Sequence, residues 1–296
     1  MVKLDNATRW NSTFLMIQRA LLLQAKIKVF CSMKHDEEDL ALDILSDQEW
    51  RDLERFFELL KPFYDITIQT QGHAKKGMSG ALWEALPAIE ILLKHLEDAA
   101  VVHPFKKNGR NSFLAICVNN AWLKLKEYYT ITDDSYHSYA AATLLNPAMR
   151  KAWFLEQWED KELSGYVDVM EHKVYRFWED NYKEDTGAAV EKKEIKNLIA
   201  RTHYLQPIVE TDDLLAYAGG ERIRPKDGDA FNPIQWWVKK LDDLPTVAQY
   251  ALDLLCCPVM SAECERVFSG AKLLISPNRN RLADDTIEAA ECLRIW

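Results

Sequence analysis

The chain has 296 residues, 48% of them hydrophobic, enough for about two domains with real cores. Its formal net charge of -9 excludes a protein that holds nucleic acid through overall charge, so any such contact must come from local clusters of Lys and Arg. The six cysteines form no C-x-x-C pair and have no matching His spacing, which excludes a zinc module and a disulfide scaffold; with no apolar run approaching about 20 residues, a soluble intracellular chain in a reducing compartment is expected.

In chain order, Asn11 or Ser12 offers an N-cap, and Phe14, Ile17, Leu21 and Ala25 recur at helical spacing, which predicts one long first helix. Trp10 reads from its position alone as a hydrophobic anchor at the helix entry. Ser46 with Glu49 forms a capping-box pattern ahead of a stripe made by Trp50, Leu53, Phe56, Phe57 and Leu60. A kink is expected at Pro62, which lacks the amide that would bond to Glu58. After a loop over residues 71–80, a helix over Ala81 to Leu96 points Leu82, Leu86, Ile89, Leu93 and Leu96 inward and bends at Pro87.

Residues 103–111 form a basic loop, followed by a helix from Phe113 to Tyr129 bearing Leu114, Val118, Ala121, Trp122 and Leu125. His95 and His103 lack an acidic or Cys partner at ligand spacing, so a metal reading is set aside. Asn146 before Pro147 ends a helix, and Pro147 is expected in the first turn of the next. Val167, Met170, Val174 and Phe177 then share one face of a helix over Tyr166 to Tyr182; aromatics at such spacings, Trp153 and Trp158 included, are core.

The polar, Gly- and Pro-bearing stretch from Lys183 to Pro233 reads as a linker with one marginal helix over Tyr204 to Leu215. Order resumes with a helix started by Trp236 and Trp237 and another started by Pro245, whose apolar face is Val247, Ala251, Leu254 and Leu255. A short helix is then expected between Ser261 as N-cap and Gly270 as stop, with Cys264, Val267, Phe268 and Ala271 on one apolar face. Glu265 lies off that stripe among Ser261, Ala262 and Ser269. From spacing alone it is either the solvated side of an amphipathic helix or a carboxylate with room for an ion. No internal repeat and no phosphate loop is present, which argues against a helical-repeat scaffold.

Three blocks carry a resemblance. Thr8 to Thr13 reads TRWNST; an apolar segment ends at Leu145-Asn146-Pro147 with Arg150 soon after; and Pro258 to Ala271 reads PVMSAECERVFSGA, followed by NRNRL and an apolar helix ending at Trp296. These resemble hAT-superfamily DNA transposases, whose usual forms are TRWNST, L-D-P and P-x-S-S-A-x-S-E-R-x-F-S. The chain departs from them at Asn146 and at Cys264. The resemblance implies a mainly α chain: a remnant of a ribonuclease H-like core at 1–35, a helical insertion domain at 36–185, a linker at 186–232 and a C-terminal dimerisation region at 233–296.

The resemblance also implies that Glu265 is the last of three acids binding divalent metal, Mg or Mn in an intact family member. The other two acids belong to strands upstream of the TRWNST block, and Asp5, in a polar entry turn, is not adopted as a substitute. One carboxylate cannot hold the pair of ions such chemistry uses, so no cofactor and no catalysis are expected for this chain alone. Trp10 is expected to stack on a base near the cleaved transposon end. Arg9, Trp10, Lys272, Arg279 and Arg281 make the expected DNA surface. The expected dimerisation set is Trp236, Trp237, Val247, Ala251, Leu254, Leu255, Ile287, Leu293 and Trp296, although the same apolar faces can equally be core. The expected partners are a second copy of the chain and, for the intact family member, transposon-end DNA in the nucleus, with no membrane and no small-molecule substrate. The competing reading is a truncated or domesticated relative that dimerises and binds DNA weakly without chemistry.

Overall fold

The computed structural model describes residues 10–33, 44–71, 80–107, 109–135, 137–158, 164–183, 212–224, 231–261 and 283–295. The chain divides into two units, residues 1–78 with 88–128, and residues 79–87 with 129–296.

The first unit begins with α1 (Trp10–Leu22) and α2 (Gln24–Met33). The helix starts at Trp10, ahead of both proposed N-caps, and the single long helix expected there is two. The Leu23 amide is shared between the carbonyls of Arg19 and Ala20, a tightened turn that interrupts the ladder. Phe14 and Ile17 are buried, whereas α2 buries nothing and Ala25 is exposed. Phe14 stacks between Phe57 and Tyr64 of α3 (Asp47–Thr70), with ring centroids 4.9 and 4.4 Å away.

The N-terminus of α3 is the capping box that Ser46 and Glu49 encode. Ser46 Oγ accepts the Glu49 amide at 3.3 Å, and the Ser46 amide donates to Glu49 Oε2 at 2.7 Å. The Ser46 amide first, and then the Ser46 hydroxyl, which donates to the same Oε2 at 2.8 Å, hold the Glu49 carboxyl below its ordinary range. The helix continues through Pro62 to Thr70. Leu59 of α3 packs with Leu96 of α4 (Ala85–Val102) and with Leu114 and Val118 of α5 (Phe113–Asp134). His95 is absorbed by this packing: Nε2 lies 3.0 Å from the Leu59 carbonyl, and the ring meets Phe63 edge-on. Pro87 sits in the first turn of α4, just after a 3-10 turn over Leu82–Glu84. An amide there has no intrahelical acceptor, so Pro87 fits the first turn of this helix, where a mid-helix bend had been expected.

The second unit holds α6 (Tyr139–Leu144), α7 (Arg150–Gln157), α8 (Ser164–Asn181), α9 (Asp213–Ala218), α10 (Pro233–Val238), α11 (Pro245–Leu255) and α12 (Asp284–Ile295). The elements from α6 to α11 contribute to one core, with Leu144, Phe154, Met170, Leu214, Trp237 and Tyr250 among its buried members. Two expectations change here. Pro147 precedes α7 in a turn closed by Asn146 Oδ1, which accepts the Ala148 amide at 3.0 Å, so the proline ends one helix without opening the next. The stretch read as a linker over 186–232 contributes α9, whose Leu214 and Tyr217 are buried; two apolar residues three apart are enough once a core receives them, which local composition does not reveal.

Among the described residues the architecture is mainly α and contains no strand. The nearest approach is an isolated antiparallel bridge between Ala81 and Pro258, in which the Leu82 amide donates to Cys257 O at 2.9 Å and the Val259 amide to Gly80 O at 2.8 Å. Gly80 takes φ +52 beside it, a left-handed conformation that side chains disfavour. No described helix is long and apolar enough to cross a membrane.

Candidate dimerisation region

The C-terminal helices are seated on one backbone group. The carbonyl of Leu145, freed where α6 ends, accepts the Tyr217 hydroxyl at 3.0 Å and the Trp237 indole N–H at 2.7 Å. Both lone pairs of a buried acceptor are thereby used, and α9 and α10 are tied to the Asn146-Pro147 turn. Burial pushes the Tyr217 phenol well above its ordinary range, against the opposing charge of Arg150, so it is a donor at any ordinary pH.

Arg150, the basic residue after Asn-Pro, opens α7 with φ +55 and is buried. Its guanidinium lies 4.4 Å from the Tyr217 ring centroid, and Nη1 donates to the Tyr217 carbonyl at 3.1 Å. Gly220 makes room for it, since a Cβ there would stand 2.1 Å from Nη1. The Ile223 amide donates to the Pro147 carbonyl at 2.9 Å, so the residues after α9 return to the same turn. Reading the sequence missed this arrangement; its signal is the Gly219-Gly220 pair after an apolar helix, which admits a buried side chain to the backbone.

Lys183 and Asp212, one on each side of residues 184–211, form an ion pair at 2.7 Å. Tyr175 of α8 donates to the same carboxylate at 2.7 Å, and Asp212 Oδ1 caps α9 through the Leu214 amide. Burial raises the Asp212 carboxyl, but the bonds from Lys183, Tyr175 and Leu214 outweigh it and hold the group below its ordinary value. The Lys183 ammonium is raised in turn, first by its bond to Asp212.

Of the residues expected to form a dimer surface, Trp237, Val247, Ala251 and Leu255 are buried in the chain's own core. They support the helices from inside and do not offer surface to a partner. The Leu145 hub draws Trp237 of α10 inward, and Val247, Ala251 and Leu255 of α11 pack into the same core. Trp236 and Leu254 are partly buried against that core, and Ile287 is half-buried. Leu293 on α12 is 81% exposed and offers apolar surface. Trp10 stands at the start of α1, 44% exposed. Arg9, Glu265, Lys272, Arg279, Arg281 and Trp296 lie outside the described residues. Among the described residues no three of His, Cys, Asp and Glu converge as a metal-binding group. The five described cysteines are free thiols.

A family model for the hAT family C-terminal dimerisation region matches residues 213–296, and one for the ZBED1 RNase-like helical domain matches residues 1–59. Curated relatives agree with these models. The "Putative AC transposase" of Zea mays is 24% identical across 100% of this chain and 37% of its own length. The chain resembles the hAT transposase family. The "Putative transcriptional regulator tpeD" of Talaromyces stipitatus is 25% identical across 96% of this chain and 30% of its own length. The "Zinc finger BED domain-containing protein DAYSLEEPER" of Arabidopsis thaliana is 22% identical across 100% and 41%. The chain thus spans about a third of the length of the curated relatives it matches. The match to the hAT region opens at Asp213, where α9 begins, and not at 233, the bound that the resemblance implied. The packing of α9 with α10 and α11 around Leu145 makes these three elements one body.

Proposed function

We propose that this chain is the C-terminal part of a hAT-type transposase or transposase-derived protein, and that its work is self-association through the region from Asp213 onward. The match of that region to the hAT C-terminal dimerisation region carries the reading. The surface that meets the second copy includes α12, where Leu293 stands exposed. A closed pair is the commonest way to bury one self-complementary patch.

In an intact enzyme of this type, Glu265 would be the last acidic ligand for Mg or Mn. Bound there, the metal would activate water or a 3'-hydroxyl and stabilise the leaving oxygen during DNA cleavage and strand transfer. Arg9, Trp10, Lys272, Arg279 and Arg281 would meet DNA in the nucleus, through local charge and through stacking on the Trp10 ring. The same surfaces serve a second reading, a domesticated DNA-binding and interaction module without catalysis. It is favoured by relatives named as a transcriptional regulator and as a zinc finger BED domain-containing protein.

Sedimentation velocity over micromolar concentrations tests the self-association. A dimer is expected for the full chain, and Leu293→Asp is expected to shift it toward monomer while leaving the circular dichroism spectrum unchanged. A full chain that stays monomeric throughout would remove the reading.

A further inference from the structure

A pocket of about 390 Å³ lies in the first unit, where α4 ends and α5 begins. That volume falls within the roughly 300–1,000 Å³ typical of small-ligand sites. Phe105, Trp122 and the buried Val118 give it apolar and aromatic walls, and Glu97, His103 and Asn119 bring polar groups to it. Neither the dimerisation region nor the expected DNA surface uses any of these side chains.

His103 and Phe105 belong to the loop joining the two helices, which also carries Lys106, Lys107 and Arg110. All three cations are exposed, and none is ion-paired among the described residues. The loop is held in shape by Asn111, whose Oδ1 accepts the Lys106 amide at 2.7 Å and whose Nδ2 donates to the Lys106 carbonyl at 2.9 Å. Gly109, at φ +146, turns the chain between them. Lys126 adds a further positive charge, its Nζ 5.0 Å from the Trp122 ring centroid. On a chain of net charge -9, this concentration of positive charge beside an aromatic pocket is a local exception.

We infer that this pocket receives one unstacked nucleobase of a single-stranded nucleic acid, while Lys106, Lys107 and Arg110 hold the neighbouring phosphates. The inference deepens the reading of the chain as a DNA-handling protein and rests on it. Aromatic walls accept the face of any base, and cations within a few residues follow the backbone that carries it. Asn119 supplies both a donor and an acceptor for a base edge. Glu97, the one acid in the lining, accepts from an exocyclic amine, which favours adenine or cytosine over thymine.

The test uses the full chain and a short deoxyoligonucleotide with a central 2-aminopurine, presented as a single strand, as a duplex, and as a strand abasic at that position. Val101 at the pocket rim is 82% exposed, so Val101→Trp adds bulk there without disturbing the core. The single strand is expected to bind more tightly than the duplex or the abasic strand, with 2-aminopurine emission quenched. Val101→Trp should weaken it about tenfold, the scale of a single lost base stack. Replacing Lys106, Lys107 and Arg110 together by Ala should weaken binding and flatten its salt dependence by about 2 in log–log slope. Both variants should keep the wild-type circular dichroism spectrum. Equal affinity for the abasic strand, or indifference to Val101→Trp, overturns the inference. So does loss of self-association in the pocket variant with strand binding unchanged, which would make this face a protein interface. Duplex binding that persists while the pocket variants change nothing leaves the DNA-handling reading standing without the pocket, and a wild-type chain that binds no nucleic acid removes both.

Discussion

Gly220 matters because of the side chain that lies against it. An alanine at 220 would place its Cβ 2.1 Å from Arg150 Nη1, so the guanidinium must leave the Tyr217 ring and give up its bond to the Tyr217 carbonyl. Gly220→Ala is therefore expected to cost about 1–3 kcal/mol, the range for overpacking a filled site, read from denaturant midpoints. In an Arg150→Ala background the same change should cost much less, because the two residues share one contact. Tyr217→Phe removes one of the two donors to the Leu145 carbonyl and leaves Trp237 on the other, so a loss of about 0.5–1.5 kcal/mol is expected. Neither role was legible in the chain. Arg150 reads as a basic residue after Asn-Pro and Tyr217 falls in the stretch read as a linker, and only packing brings them together.

At the scale of elements, the start of α3 was the most legible feature. Ser46 and Glu49 form the capping box their spacing encodes, since both partners lie within four residues of chain. Ser46→Ala is expected to lower stability by about 1 kcal/mol, measured by thermal or urea unfolding. The start of α9 behaves differently with pH. The Asp212 carboxyl lies below its ordinary value in the folded state, so the stability it contributes is present above the unfolded carboxylate range, near pH 4, and is lost as pH falls through the depressed value. Asp212→Asn keeps a capping oxygen but no charge for Lys183. Its urea midpoint should fall at neutral pH and approach that of the parent chain in acid, and a constant difference across pH would count against the ion pair. Where proline is concerned, the sequence is a weaker guide. Pro87 and Pro147 were expected to bend one helix and open another, and each takes a neighbouring role because the register of a helix start is decided by what the first turn packs against.

At the scale of the whole molecule, Glu265 raises the question of metal. One carboxylate without converging partners binds a divalent ion no more tightly than an ordinary surface acid, and that is the outcome expected when manganese is titrated calorimetrically into the full chain. A tight stoichiometric site lost in Glu265→Gln would show that other acids of this chain complete it. The self-association expected from the hAT region belongs to the same scale, because burial of the inner faces of α10 and α11 leaves surface residues such as Leu293 to meet a partner.

The sequence by itself determined the helical class, the capping box, the apolar stripes of α3, α5 and α8, and, through three short blocks, the resemblance to hAT transposases. Each of these is encoded by residues close together in the chain, where helical period and capping chemistry act locally. Only the tertiary structure decided that Trp237, Val247, Ala251 and Leu255 are support and not surface. The same holds for α9, which belongs to the core and not to a linker, and for Arg150, which stacks on Tyr217 against Gly220. An apolar stripe says that a face will be buried but not against what. That choice is made by contacts between residues far apart in the chain, such as the bond from Trp237 to Leu145, which no local pattern carries.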